Sequence, residues 1–168
     1  MLIDLLPVVN AEGRELLIDE DIDLSDKSEY GIEILNPTRV CGRFFNIAGS
    51  LEFSGSAKAR LRLMCDRCGE WFDLELEFEF SELLKKELDK QSDGDENPDI
   101  IFYEGSSVDN APMIYNNLYM NLPTKKLCKP DCKGLCSVCG GNLNEKECSC
   151  TKETTDPRFD ILDNFFKE

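Results

Sequence analysis

Residues 57–80 read AKARLRLMCDRCGEWFDLELEFEF, and this stretch decides the fold. Apolar residues fall at 57, 59, 61 and 63, then at 72, 74, 76, 78 and 80. A period of two sustained over this length marks β-strands with one buried face. Between the two runs lies Cys65-Asp66-Arg67-Cys68-Gly69, a composition suited to a tight turn. The intervening positions carry opposite charge: Lys58, Arg60 and Arg62 on the first run, Asp73, Glu75 and Glu77 on the second. An antiparallel hairpin of roughly 57–64 with 71–80 sets them across from one another, each pair contributing ~0.2–1 kcal/mol. The basic stripe, which alone would look like an RNA contact, is then neutralised by its neighbour strand.

Working outward, residues 50–55 predict a further strand beside this pair. Segments near 2–9, 14–19 and 39–48 read as strands, with turn signals at Asn10–Gly13, Ser25–Ser28 and Asn36-Pro37 between them. Residues 82–90 fit a short helix, 91–98 (QSDGDENP) an acidic mobile loop, and Ile100–Tyr103 a brief strand. A helix follows, capped by Asp109 or Asn110 with Pro112 in its first turn. Ile114 and Leu118 share one of its faces, Tyr115, Tyr119 and Leu122 lie on the next, and Pro123 ends it. From Asp156-Pro157 the tail fits a short helix with Phe159, Leu162 and Phe166 on one side. That apolar face suits the protein's own core or a partner. The expected fold class is therefore α+β: a mainly antiparallel β-sheet or partial barrel, with a helix and a C-terminal zinc-binding module. The expected division is a β-rich domain over 1–107, the helix and cysteine-rich module over 108–150, and a tail over 151–168.

That module reads CKPDCKGLCSVCGGNLNEKECSC over 128–150, six of the nine cysteines in a chain without histidine. Cys65-x-x-Cys68-Gly69 and Cys136-x-x-Cys139-Gly140 are two copies of a knuckle in which two thiolates can reach one ion. The following glycine tolerates the positive φ that turns backbone N–H groups toward sulfur. With Cys128-x-x-x-Cys132 and Cys148-x-Cys150 there are eight such cysteines, twice the four of a tetrahedral thiolate site. The favoured partition places Cys136, Cys139, Cys148 and Cys150 on one zinc, and Cys65, Cys68, Cys128 and Cys132 on another. The alternative is one zinc held by four of the last six. Cys41 has no cysteine neighbour and reads as a small buried hydrophobe.

Four-thiolate sites are closed and structural, and no nucleophile–base pair or phosphate-cradling loop stands out, so no catalysis is expected. A dithiol switch is a further reading, although the surrounding βαβ pattern is missing. Arg67, in the knuckle, is a candidate partner-binding residue; it can equally hydrogen-bond locally to the thiolate shell. The N-terminal MLIDLLPVV is broken by Asp4 and lacks a basic flank, and no segment is long enough to span a membrane. This predicts a cytosolic protein, which with the odd cysteine count argues against a disulfide framework. The formal charge of −15 disfavours extensive nucleic-acid binding and favours a basic protein surface as partner.

Cys65, Arg67, Cys68 and Gly69 followed by Trp71-Phe72 resemble the bacterial YceD family, described as large ribosomal RNA subunit accumulation proteins. The resemblance extends through Leu122-Pro123, Leu127-Cys128, Asp131-Cys132-Lys133-Gly134-Leu135-Cys136, Cys139-Gly140, Asn142-Leu143-Asn144, Cys148, Cys150 and the Asp156-Pro157-Arg158 tail. Glu70 departs from the varied or apolar residues expected at its position. The resemblance implies a non-catalytic factor needed for normal 23S rRNA levels, hence for making the large ribosomal subunit. It also implies a gene beside one for a large-subunit ribosomal protein.

Overall fold

The computed structural model describes residues 2–86 and 100–150. The predicted tail helix and the acidic loop lie outside them. The elements in chain order are β1 (Leu2–Asp4), α1 (Leu6–Val9), β2 (Glu15–Ile22), β3 (Ile32–Ile47), β4 (Ser50–Met64), β5 (Trp71–Lys86), β6 (Ile100–Tyr103), β7 (Ser107–Asp109) and α2 (Ala111–Met120). Strands β2 to β6 form one sheet in sequence order, antiparallel except for the β5–β6 edge, and β1 pairs with β7 in a separate two-stranded piece. The chain is thus a mostly antiparallel sheet with one main helix.

The hairpin is β4–β5, with Lys58 opposite Glu77, Arg60 opposite Glu75 and Arg62 opposite Asp73. Arg62 Nε lies 2.9 Å from Asp73 Oδ1, and Lys58 reaches diagonally to Glu75 at 3.2 Å. On the same outward face Arg39 pairs with Asp19 and Asp21, and Arg43 with Glu15. Exposed pairs like these contribute little stability singly; they fix which cations remain available.

The inward face supplies the core. Leu51, Phe53, Ala57, Ala59, Leu61 and Leu63 of β4 alternate into it, with Phe78, Phe80 and Leu84 of β5. Helix α2 lays Met113, Ile114 and Leu118 on that face, within the same buried cluster. Asp109 Oδ1 accepts the Ala111 N–H at 3.1 Å, while Asn110, at the N-cap position, makes no capping bond. Glu29 accepts hydrogen bonds from the phenol groups of Tyr115 (2.9 Å) and Tyr119 (2.8 Å), tying α2 to the segment before β3.

Several sequence expectations are corrected. Residues 50–55 are the first part of β4 rather than a separate strand. The Ser-Gly-Ser break at 54–56 does not interrupt it, because Gly55 faces Gly42 of β3 and the two backbones pack closely under the Phe80 ring. Residues 82–86 continue β5 instead of turning into a helix, with Leu84 paired to Leu51. Segment 2–9 divides into β1 and the helical turn α1, which has Pro7 in its first turn. Asn36-Pro37 sits within β3, at the register shift between Leu35 and Arg39, where a proline without an N–H is tolerated. Cys41 is exposed, not buried: it falls on the outward parity of β3, and its Sγ lies 3.0 Å from Asp19 Oδ1. That hydrogen bond to a carboxylate raises its pKa.

Candidate metal centres

The β4–β5 turn and the Cys136–Gly141 turn of the module have the same backbone pattern. Cys65 N–H donates to Glu70 O at 2.9 Å and Gly69 N–H to Cys65 O at 2.9 Å; Cys136 N–H donates to Gly141 O at 2.9 Å and Gly140 N–H to Cys136 O at 2.9 Å. Gly69 and Gly140 have φ of 73° and 71°, left-handed values that glycine adopts without a Cβ clash. The result in each knuckle is two sulfurs on one side of a tight loop.

The structure brings together Cys65, Cys68, Cys128 and Cys132 in one group and Cys136, Cys139, Cys148 and Cys150 in another, the sulfurs of each group lying within 4.8 Å of one another. In the first group Cys65 Sγ lies 3.8 Å from Cys132 Sγ, and Cys68 Sγ 3.7 Å from Cys128 Sγ. Metal–sulfur bonds of ~2.3 Å in a tetrahedron place sulfurs about 3.8 Å apart. Both foursomes can therefore hold a metal ion. Their settings differ. Cys65, Cys68 and Cys132 are buried and pack with Phe72 and Leu127, whereas in the second group Cys139 is exposed and Cys148 and Cys150 are half-buried.

The electrostatics agree with the donor set. Burial opposes ionisation of Cys65, but N–H groups of Cys128, Cys68 and Arg67 outweigh it and bring the thiol down to about 6. N–H groups of Cys139 and Val138 bring Cys136 to about 6. Burial and the neighbouring sulfurs push Cys128 up to about 12, and crowding by Cys139 and Cys148 pushes Cys150 up to about 12. Some thiols in each group are set up to ionise while others are held back by the negative charge beside them. A cation placed among the sulfurs removes that conflict.

The first group joins two distant parts of the chain, and protein contacts reinforce the join. Asp66 N–H donates to Lys126 O at 2.8 Å, and Lys126 N–H returns a bond to Asp66 Oδ2 at 2.8 Å. Arg67 Nη1 donates to Cys132 O at 2.8 Å, and Leu135 N–H donates to Arg67 O at 3.1 Å. Gly134 lies so close to Arg67 that a Cβ there would stand 3.0 Å from its carbonyl oxygen. Arg67 thus binds the module to the hairpin tip. Sequence reasoning gave Asn144 no role, yet its Nδ2 lies 3.3 Å from Cys132 Sγ.

Among the described residues no helix is long and apolar enough to cross a membrane. A family model described as large ribosomal RNA subunit accumulation protein YceD matches residues 53–166. A protein of Arabidopsis thaliana, named large ribosomal RNA subunit accumulation protein YCED homolog 1, chloroplastic, is 28% identical over 140 residues, covering 68% of this chain and 44% of its own length. The chain therefore spans less than half of that relative. No solved structure gives a significant match.

Proposed function

The chain belongs to the YceD family, and from that premise we propose that it is a non-catalytic, cytoplasmic factor supporting accumulation of 23S rRNA during large-subunit assembly, acting through contact with a basic ribosomal or assembly protein. Zinc is the ion proposed for both foursomes, since thiolate-only tetrahedral sets suit it and close its coordination. Its role in the first foursome is to hold the module on the hairpin, and in the second to close the module on itself.

The observation carrying the partner's chemistry is the outward face of the sheet. Arg39, Arg43, Lys58 and Arg62 are already paired with acids, while Glu77 and Glu79 remain exposed on the same face. Residues 1–123 contain 11 Lys and Arg against 26 Asp and Glu, so the −15 of the whole chain resides there. A surface of that sign attracts a basic partner and repels phosphate. Depleting the protein is expected to lower 23S relative to 16S rRNA, with recovery on re-expression. An unchanged ratio contradicts the reading.

One observation favours direct RNA contact as a second reading. Residues 124–150 contain five lysines and three acids, and Lys125 and Lys129 are exposed, with no ion pair among the described residues. If they touch phosphate, affinity for an RNA hairpin falls with salt. Lys125→Ala/Lys129→Ala then flattens that dependence by about 0.7–0.9 of a log unit per lost contact. Salt-insensitive binding removes this reading.

A further inference from the structure

We infer that Asn144 couples the two metal sites, so that closing the second foursome strengthens metal binding at the first. This rests on both groups holding metal. Asn144 lies in the loop between Cys139 and Cys148, two ligands of the second group, yet its side chain donates to a ligand of the first, Cys132, at 3.3 Å. Its other contacts fix that aim. Asn144 N–H donates to Asn142 Oδ1 at 3.0 Å, its Nδ2 donates to the same oxygen at 2.9 Å, and its Oδ1 accepts the Lys133 N–H at 2.9 Å. Lys133 directly follows Cys132. The amide therefore grips the backbone just past the ligand with its oxygen and the ligand's sulfur with its nitrogen. Leu143 N–H to Gly134 O, at 2.9 Å, runs beside it.

The chemistry gives the coupling its direction. An N–H donor aimed at a ligand sulfur fixes the direction of its remaining lone pairs and takes up part of its charge when an ion is bound. The second foursome is drawn from Cys136–Cys150 and can form within the module. The first needs the module seated against the hairpin. When the second site is filled, the 140–147 loop is fixed at both ends and Asn144 is presented to Cys132 in advance. When it is empty, that loop must be ordered as the first site fills. By linkage, filling the first site strengthens the second by the same factor.

The test uses the full chain and Co²⁺ alone as probe, followed by its thiolate charge-transfer absorption. Iodoacetamide footprinting identifies which four cysteines each ion protects. Asn144→Ala is expected to weaken Co²⁺ at Cys65, Cys68, Cys128 and Cys132 by about 10–100-fold. With the second site removed by Cys139→Ser/Cys148→Ser, the first site starts weaker and Asn144→Ala adds less than about threefold. In Cys65→Ser/Cys68→Ser protein, Asn144→Ala leaves the remaining site unchanged. Asn142→Ala, which frees the amide without deleting it, repeats the pattern at smaller size and serves if Asn144→Ala fails to fold. Equal losses with and without the second site, or no loss at the first, overturn the coupling. Failure of the unaltered chain to bind two ions overturns the occupancy reading instead.

Discussion

Cys65→Ser/Cys68→Ser is expected to lower the metal content from two ions per chain to one and to release the C-terminal module from the sheet. Losing a structural metal belongs with the largest single-site effects, about 4 kcal/mol or more, which for a chain of this size corresponds to a fall of roughly 8–16 °C in thermal midpoint. The loss has two parts. Four sulfurs packed with Phe72 and Leu127 no longer hold an ion, and the 67-residue span from Cys65 to Cys132 is no longer closed. The Asp66–Lys126, Arg67–Cys132 and Leu135–Arg67 hydrogen bonds then hold the join without the metal, each worth about 1 kcal/mol. Metal analysis with limited proteolysis between residues 121 and 128 decides the matter. Two ions retained, or a linker that stays protected, would show that the hairpin cysteines do not staple the module.

A comparable loss is expected from Gly55→Val, far from any sulfur. A Cβ on Gly55 would stand 2.2 Å from the Cys41 carbonyl oxygen and 2.4 Å from Gly42 Cα, both backbone atoms that cannot swing aside. Either β3 and β4 separate, breaking the Gly42–Gly55 pairing, or the strand slips; the cost is about 3 kcal/mol. Phe80, whose ring covers this close approach and packs tilted against Phe53 at 4.7 Å between centroids, loses its seat as well. Gly13→Ala is the control. There φ is +75° but nothing lies within 4 Å, so only the left-handed backbone is penalised, at ~1–2 kcal/mol. Urea midpoints at constant m-value compare the two. A Gly55 variant no weaker than the Gly13 one contradicts the close-packed geometry.

The hairpin was legible because charge and polarity alternate together over 57–80, so one register satisfies both. The grouping of the cysteines followed from spacing and from counting by fours. What the sequence concealed was continuity. Gly55 between two serines has the composition of a turn, and only the strand lying across it reveals why a side chain is excluded. Ser81-Glu82-Leu83-Leu84-Lys85-Lys86 has helical propensity, yet pairing with β4 at one end and β6 on its other side overrides it. Cys41 was misplaced by residue type; counting alternate positions from Phe44 puts it outside. Asn144 fell within a stretch that carries the family resemblance, but its role was not legible, since its partner Cys132 belongs to the other foursome.

The length of β4 sets a scale for recognition. Fifteen residues at ~3.3 Å each make a ribbon of about 50 Å, with the Leu51–Leu84 pair near one end and the cysteine-bearing tip at the other. Glu77 and Glu79, exposed and without an ion pair among the described residues, lie partway along it, and Lys125 and Lys129 lie near the tip. From Lys58, opposite Glu77, to the end of β4 at Met64 is six residues, about 20 Å, so charges of opposite sign stand within reach of a single partner. On the proposed function, an assembly intermediate that offers basic protein and phosphate about that far apart would meet both zones at once, and either one alone would meet only half of the surface.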